Sequence, residues 1–111
     1  MNVRDQILAA SDIESQALYM AEWGVTVVVR SMTGLERERF ERDYEAAKEA
    51  GQVRALMAAL CCYDQDGNKL FTLDDVPALA TKSTAALGRI FDEAIKLSAI
   101  SKDDVEALEG N

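Results

Sequence analysis

Residues 25–30 have the sequence VTVVVR, the stretch that decides the fold class. Five of these six residues are β-branched, and β-branched side chains favour strands. Residues 16–20 form a second candidate strand, and the connection between the two contains Gly24, which permits a positive φ. We therefore predict a β-hairpin over about residues 16–32.

An amphipathic helix is predicted directly after this hairpin, over about residues 35–50. Phe40, Tyr44 and Ala47 are spaced at i, i+4 and i+7 and form one apolar stripe. Gly51 is well placed to end the helix in the left-handed conformation. The remaining face is densely charged, with two candidate ion pairs at helical spacing: Glu38–Arg42 and Glu45–Lys48.

The clearest helical periodicity lies near the C-terminal end, over about residues 83–99. Five apolar residues recur there at i, i+3, i+4, i+7 and i+8, namely Leu87, Ile90, Phe91, Ala94 and Ile95. Short terminal helices are predicted over residues 3–10, with Asn2 as a possible cap, and from Ser101 to Leu108.

The segment 52–63 admits two interpretations. Its apolar residues fit a helical period, at Val53, Leu56, Met57 and Leu60. The segment nevertheless runs directly into DQDGNKLF at 64–71, and an Asp-Gly turn between two apolar runs is typical of a β-hairpin. We predict a strand over about 54–63, and with it a second hairpin over about 54–71.

Residues 72–75, with the sequence TLDD, resemble the start of a helix capped by Thr72. Pro77 lies one position too deep in such a helix to lose its N–H without cost. The helix is therefore expected to begin nearer Asp75, after a tight turn.

Composition restricts the class of protein. The chain has 111 residues, a length that predicts a single domain over 1–111. The predicted elements make this domain α+β, with the two hairpins packed against the helices. Apolar residues make up 49% of it, which argues against wholesale disorder. Its 12 basic and 20 acidic residues give a net charge of −8, which argues against a nucleic-acid partner. The first ten residues have the pattern of neither a signal peptide nor a membrane anchor, so no membrane partner is expected.

The residues that usually carry catalysis are scarce. The chain contains no histidine, the commonest general base and metal ligand. An EF-hand alignment on Gly67 places Cys62 and Leu73 where calcium ligands are needed, so a plain turn is favoured. The adjacent Cys61 and Cys62 are interpreted as small apolar residues of a reduced protein, with a reactive thiol or an intermolecular disulfide as the alternative. We predict no catalytic, cofactor-binding or metal-binding residue, and hence a protein that is not an enzyme.

Candidate partner contacts lie in the first hairpin and in the helix that follows it. Trp23, beside the predicted turn, is either a core anchor that closes the hairpin or an exposed contact residue. The charged helix is either a solvated face or a docking face for a partner. The partner-binding candidates are therefore Trp23, Arg30, Phe40 and Tyr44.

Taken in order, several segments resemble the tail assembly chaperones of long-tailed bacteriophages and prophages. No single motif is diagnostic, and the resemblance rests on the order and spacing of EWGV at 22–25, TGLER at 33–37 and DQDGNKLFT at 64–72. It extends over nearly the whole chain. Pro77 and the alanine-rich stretch before the turn depart from the family pattern.

The resemblance implies a non-enzymatic role in virion assembly. Members of the family bind and solubilise the tape measure protein and recruit the major tail tube protein in the host bacterial cytoplasm, and they are not retained in the mature virion. Self-association is also expected. The alternatives are a structural phage component, such as a head–tail connector or a minor tail protein, and a small cytosolic enzyme.

The family often makes a second, longer product by a ribosomal frameshift. Residues 109–111, EGN, can be encoded GAG GGA AAC, which contains the slippery heptamer G-GGA-AAC. Other codons encode the same residues, so the protein sequence is compatible with a frameshift near Gly110 and does not demand one.

Overall fold

The computed structural model of the chain describes residues 2–99. Within them, five α-helices and a three-stranded antiparallel sheet confirm the predicted α+β class. The elements run α1 Val3–Ala9, β1 Ser15–Met20, β2 Val25–Arg30, α2 Gly34–Ala50, α3 Val53–Cys61, β3 Cys62–Tyr63, a 3-10 helix Leu73–Asp75, α4 Val76–Leu79 and α5 Thr84–Leu97. The strand order in the sheet is β1-β2-β3.

The first predicted hairpin is confirmed. Strands β1 and β2 pair from Ser15 opposite Arg30 to Met20 opposite Val25. The turn closes where the backbone N–H groups of Trp23 and Gly24 both donate to the Met20 carbonyl, at 3.0 and 2.8 Å. Gly24 has a φ of 66°, a conformation that glycine adopts at no steric cost.

Helix α2 is confirmed close to its predicted bounds. Thr33 and Glu36 form a complete capping box at its start, and Gly51 ends it in the left-handed conformation with a φ of 71°. The predicted stripe is buried, and the rings of Phe40 and Tyr44 meet edge to face with centroids 5.6 Å apart. The two predicted ion pairs are wrong, because within residues 2–99 the helix instead pairs Arg37 with Glu41 and Arg39 with Asp43.

The predicted strand over 54–63 is wrong, and the second hairpin over 54–71 is correspondingly reduced. Residues 53–61 form helix α3, and only Cys62 and Tyr63 pair with β2. The physical reason is that α3 lies between other elements and buries seven of its nine residues. A helix buried on most sides has a nearly continuous apolar sequence, which periodicity cannot distinguish from a buried strand. The Asp-Gly turn itself exists, and beyond it Lys69 forms a bridge back to Tyr63.

The remaining helices largely agree with prediction. Asn2 caps α1 by accepting the Asp5 N–H, and Ser83 caps α5 by accepting the Ala86 N–H. The 3-10 turn and α4 place the start of the helix at Asp75, as Pro77 requires, since Pro77 lies in the first turn of α4. The predicted helix over 101–108 lies outside the described residues.

The core forms between the helices and one face of the sheet. Helix α5 packs on β1 and β2, α3 packs on α5, and α2 packs on α3. Met20, Val27 and Val29 point from the sheet into this core and are almost fully buried. The arrangement is the α+β layout with helices gathered on one face of an antiparallel sheet, so the opposite face is not covered by α5.

Candidate protein-protein interface

The sheet face opposite the helices is the first candidate surface. Side chains alternate along a strand, so the residues between the core-facing ones share this second face. The register places Tyr19 beside Thr26, and Ala17 beside Val28, which in turn neighbours Tyr63 on β3. We call this surface the outer sheet face, and its members are Ser15, Ala17, Tyr19, Thr26, Val28, Arg30 and Tyr63.

The outer sheet face has the chemistry of a contact surface. It carries no carboxylate, although the chain as a whole has 20 acidic residues. Tyr19 is 67% exposed, and the guanidinium of Arg30 stacks over the Tyr63 ring at 4.1 Å from its centroid. Tyrosine and arginine are enriched at protein interfaces, where a large side chain can contribute area together with a hydrogen-bonding group.

The Asp64–Asn68 turn helps to position Arg30. Both the Asp66 and the Asn68 N–H donate to Asp64 Oδ1 at 2.9 Å, and the hydrogen bond from the Asn68 backbone is the main reason that the pKa of Asp64 lies below its usual value. Gly67 has a φ of 89°, and a β-carbon added there would lie 3.1 Å from a guanidinium nitrogen of Arg30. The carboxylate of Asp64 therefore organises its own loop, and the loop leaves room for the arginine.

Glu36 connects this region to α2. The Tyr63 hydroxyl donates to Glu36 Oε2 at 3.5 Å, and Lys69 Nζ lies 3.3 Å from the same oxygen. Burial, and next the neighbouring Glu36 carboxylate, raise the pKa of the Tyr63 hydroxyl. Tyr63 is therefore a neutral hydrogen-bond donor at neutral pH, and its ring is fixed under Arg30.

An apolar groove is the second candidate surface. It lies between α2, α3 and the segment 69–73, and it has a volume of about 570 Å³. Leu35 stands at it with 80% of its surface exposed. We call it the α2 groove, and its apolar lining consists of Leu35, Ala59, Leu60, Phe71 and Leu73, with Arg39, Arg42 and Lys69 among its charged residues.

Helix α1 also exposes apolar side chains, but it contributes to neither the outer sheet face nor the α2 groove. None of its seven residues is buried. Val3, Ile7 and Leu8 are each about two-thirds exposed, and Val3 and Ile7 share one side of the helix at i and i+4.

The four predicted partner-binding residues are separated by the structure. Arg30 lies on the outer sheet face, whereas Trp23 at the hairpin turn is half-buried and packs against the core. Phe40 and Tyr44 have only 1% and 2% of their surfaces exposed, so they are core residues in this structure. Sequence reasoning missed Tyr19 and Leu35, although the alternation of Ser15, Ala17 and Tyr19 along β1 was a usable signal for the first.

Little in the described residues offers catalytic chemistry. No three His, Cys, Asp or Glu side chains between residues 2 and 99 are grouped so that they could hold a metal ion. Cys61 and Cys62 are free and buried, and burial raises the pKa of each thiol to about 12. Across the same range of residues, no helix combines the length and apolar character needed to cross a membrane.

The fold and these surfaces define a small acidic α+β protein with candidate contact surfaces. A scan against protein-family models and a search of curated proteins both gave no match. A search of solved structures found the tail assembly chaperone of bacteriophage HK97, with a TM-score of 0.64 and 19% sequence identity. The match covers 87% of this chain and 98% of the other. This chain therefore has the fold of that chaperone over most of its length.

Proposed function

We propose that this protein is a chaperone of phage tail assembly, which binds and solubilises the tape measure protein and recruits the major tail protein. The observation that carries the proposal is the shared fold with the HK97 tail assembly chaperone, which extends over most of this chain and almost all of the other. It agrees with the family resemblance of the three sequence segments, which is a separate line of argument. Such a protein acts in the host cytoplasm and leaves before the virion is mature.

The physical properties of the surface suit this role. A carrier of a long, aggregation-prone client needs charge for solubility and apolar surface for contact. The net charge of −8 supplies the first, and the apolar part of the α2 groove, with Leu35 as its exposed member, supplies the second.

We assign the client to the α2 groove, where an amphipathic helix of the tape measure protein would insert its apolar side chains. The lining is mostly apolar, and a 570 Å³ groove can hold a few such side chains. Leu35, at 80% exposure, is the groove residue whose contact area would change most on binding. Arg39 and Arg42 also line the groove. Both lie near Asp43, and the remaining N–H groups of each guanidinium can pair with carboxylates on the polar face of the client helix.

Co-expression with the tape measure protein encoded in the same genome tests this assignment. We expect the client to be soluble with the unaltered protein and to aggregate with Leu35→Lys, because the variant places a charge in the apolar contact. Ile7→Lys is the matched control, since it makes the same kind of change at an exposed apolar residue of α1. If neither the unaltered protein nor Ile7→Lys improves client solubility, the chaperone proposal fails. Equal solubility with Leu35→Lys would remove the groove from the client surface.

The alternative of a structural phage component is tested on purified particles. Quantitative mass spectrometry of mature virions should not detect a chaperone, whereas a head–tail connector or minor tail protein is present in a fixed number of copies. A stoichiometric signal would replace the chaperone proposal with the structural one.

A longer product made by frameshift belongs to the same proposal. The test is the nucleotide sequence at codons 109–111: a slippery heptamer followed by an overlapping downstream frame supports it. A gene with neither feature would exclude a frameshift at this point.

A further inference from the structure

Strand β1 has a free edge. The Ser31 N–H donates to the Glu14 carbonyl at 2.8 Å, so these two residues form a hydrogen-bonded pair at the end of the hairpin. Antiparallel ladders alternate between hydrogen-bonded and non-hydrogen-bonded pairs. Gln16, Leu18 and Met20 therefore form backbone hydrogen bonds with β2. The N–H and C=O groups of Ser15, Ala17 and Tyr19 point away from β2. Among residues 2–99 no strand lies on that side.

The side chain of Gln16 agrees with this orientation. Its amide donates to the Ala17 carbonyl at 3.2 Å, and both residues are exposed. A carbonyl engaged in the β1–β2 ladder would point away from solvent towards β2. The Ala17 carbonyl is therefore an accessible acceptor on the free edge, satisfied here only by a flexible surface side chain.

The free edge lacks the features with which proteins usually protect an edge strand. Natural edges carry charges, proline or bulges that prevent another strand from pairing. Residues 15–20, with the sequence SQALYM, contain no charged residue and no proline, and their register with β2 is unbroken. The strand is six residues long, ample for pairing with a second one.

We propose that β1 pairs antiparallel with β1 of a second copy of this chain, which joins the two three-stranded sheets into one. The register that uses every free backbone group places Ala17 opposite Ala17 of the second copy, and Ser15 opposite Tyr19. In that register the pair is symmetric about a two-fold axis at Ala17, as an isologous dimer requires. The inference names the surface for the self-association expected of the proposed chaperone, but it rests on the geometry of β1.

The side chains on the two outer sheet faces match in this register. Across the joined sheet, Val28 and Ala17 of one copy lie in line with Ala17 and Val28 of the other. These four side chains form an apolar row. The large Tyr19 ring faces the small Ser15 of the other copy, a pairing without steric conflict. Arg30 lies beside Ser15 and can reach towards the hydroxyl of that Tyr19.

Charge favours a second copy as the occupant of this edge. Two molecules that each carry a net charge of −8 repel one another over most of their surfaces. The outer sheet face and residues 15–20 contain no acidic side chain, so pairing Ser15, Ala17 and Tyr19 with a second copy places no two carboxylates opposite each other. An unrelated strand would have no reason to share the two-fold register.

Light scattering after size-exclusion chromatography, on the purified protein without client, tests the proposal. We expect the unaltered protein to have twice the chain mass of 12.2 kDa. Tyr19→Lys adds a charge to the uncharged edge, and Ala17→Pro removes a central N–H donor, so both variants should be monomeric at the same concentration. Ile7→Lys, at a residue 66% exposed compared with 67% for Tyr19, should remain a dimer.

Amide hydrogen exchange identifies the interface independently of mass. The amides of Ala17 and Tyr19 should exchange slowly in the dimer and rapidly in Tyr19→Lys, whose unchanged circular dichroism would show that it folds. A monomeric unaltered protein would overturn the pairing, as would a dimer that survives Tyr19→Lys or one that Ile7→Lys dissociates. Client solubility is measured separately, so a monomer that still solubilises the tape measure protein would refute the pairing and leave the chaperone function standing.

Discussion

Helices α2 and α3 are neighbours in sequence and in space, yet most of α2 is exposed to solvent and most of α3 is buried. Helix α2 has 17 residues and buries three of them, whereas α3 has nine and buries seven. The first is a surface helix with a single buried stripe, and its charged face is in water. The second is enclosed by its neighbours. The comparison shows that an amphipathic pattern specifies both a helix and its orientation, while a uniformly apolar segment specifies burial alone.

The thiols at the junction of α3 and β3 give the sharpest measure of this enclosure. Cys61 and Cys62 are almost completely buried, and their pKa values are raised to about 12. We expect a water-soluble disulfide reagent at pH 8 to label them at least about 4,000-fold more slowly than in the denatured chain, since labelling requires unfolding that costs about 5 kcal/mol or more. Rapid labelling without denaturant would show that α3 is not enclosed.

The same thiols predict how stability depends on pH. Their pKa lies near 9 in the unfolded chain and near 12 in the folded protein. Between these values only the unfolded state loses the protons, so stability falls as pH rises above about 9. Urea denaturation at pH 8 and pH 10 measures the loss. In the double variant Cys61→Ala/Cys62→Ala, the free energy of unfolding should fall less between pH 8 and pH 10. If it falls equally in the variant, the pH dependence belongs to other groups such as Tyr63.

Truncation of a core side chain in α3 should be the most damaging of the substitutions considered. Met57 is fully buried, and Met57→Ala should lower the free energy of unfolding by about 3 kcal/mol, because it leaves a cavity in a closely packed region. Urea denaturation provides the measurement. Glu45→Ala, on the exposed face of α2, is the control and should change stability by less than about 0.5 kcal/mol. Similar losses for the two variants would contradict the contrast between the helices.

Gly51, which separates the two helices, should be less sensitive. Its φ of 71° is strained for any residue with a β-carbon, so Gly51→Ala should cost about 1 kcal/mol. Gly88→Ala is the matched control, because Gly88 lies inside α5 and a β-carbon there meets nothing within 4 Å. That substitution should stabilise the protein by up to about 1 kcal/mol. If both substitutions changed the free energy of unfolding in the same direction, the positive φ of Gly51 would not be the cause of its sensitivity.

Much of the fold follows from sequence because local signals agree with the tertiary structure. The β-branched run of β2, the glycine at the end of α2 and the periodicity of α5 each specify an element by a local physical preference. For α3 the preference was ambiguous, since a buried helix and a buried strand have similar apolar sequences, and the Asp-Gly turn that follows favoured the wrong one.

The candidate surfaces were harder to predict than the fold. Phe40 and Tyr44 lie on the helix that is predicted as a possible docking face, but they belong to its apolar stripe, which the protein core covers just as a partner would. Tyr19 and Leu35 are exposed because the helices pack on the other sheet face and because α2 begins beside an open groove. Both facts depend on how the elements pack together, which residue spacing along one element does not report.

The ion pairs on α2 should show the smallest effects. Arg37 Nε lies 2.6 Å from Glu41 Oε1 at i, i+4, whereas the sequence analysis predicts a pair between Glu38 and Arg42. A double-mutant cycle with alanine should give a coupling of about 0.3 kcal/mol for Arg37 and Glu41, and near zero for the other pair. The coupling should weaken in high salt, because exposed charges are screened. Equal couplings would mean that sequence spacing, and not the observed rotamers, determines which charges interact on the exposed face of this helix.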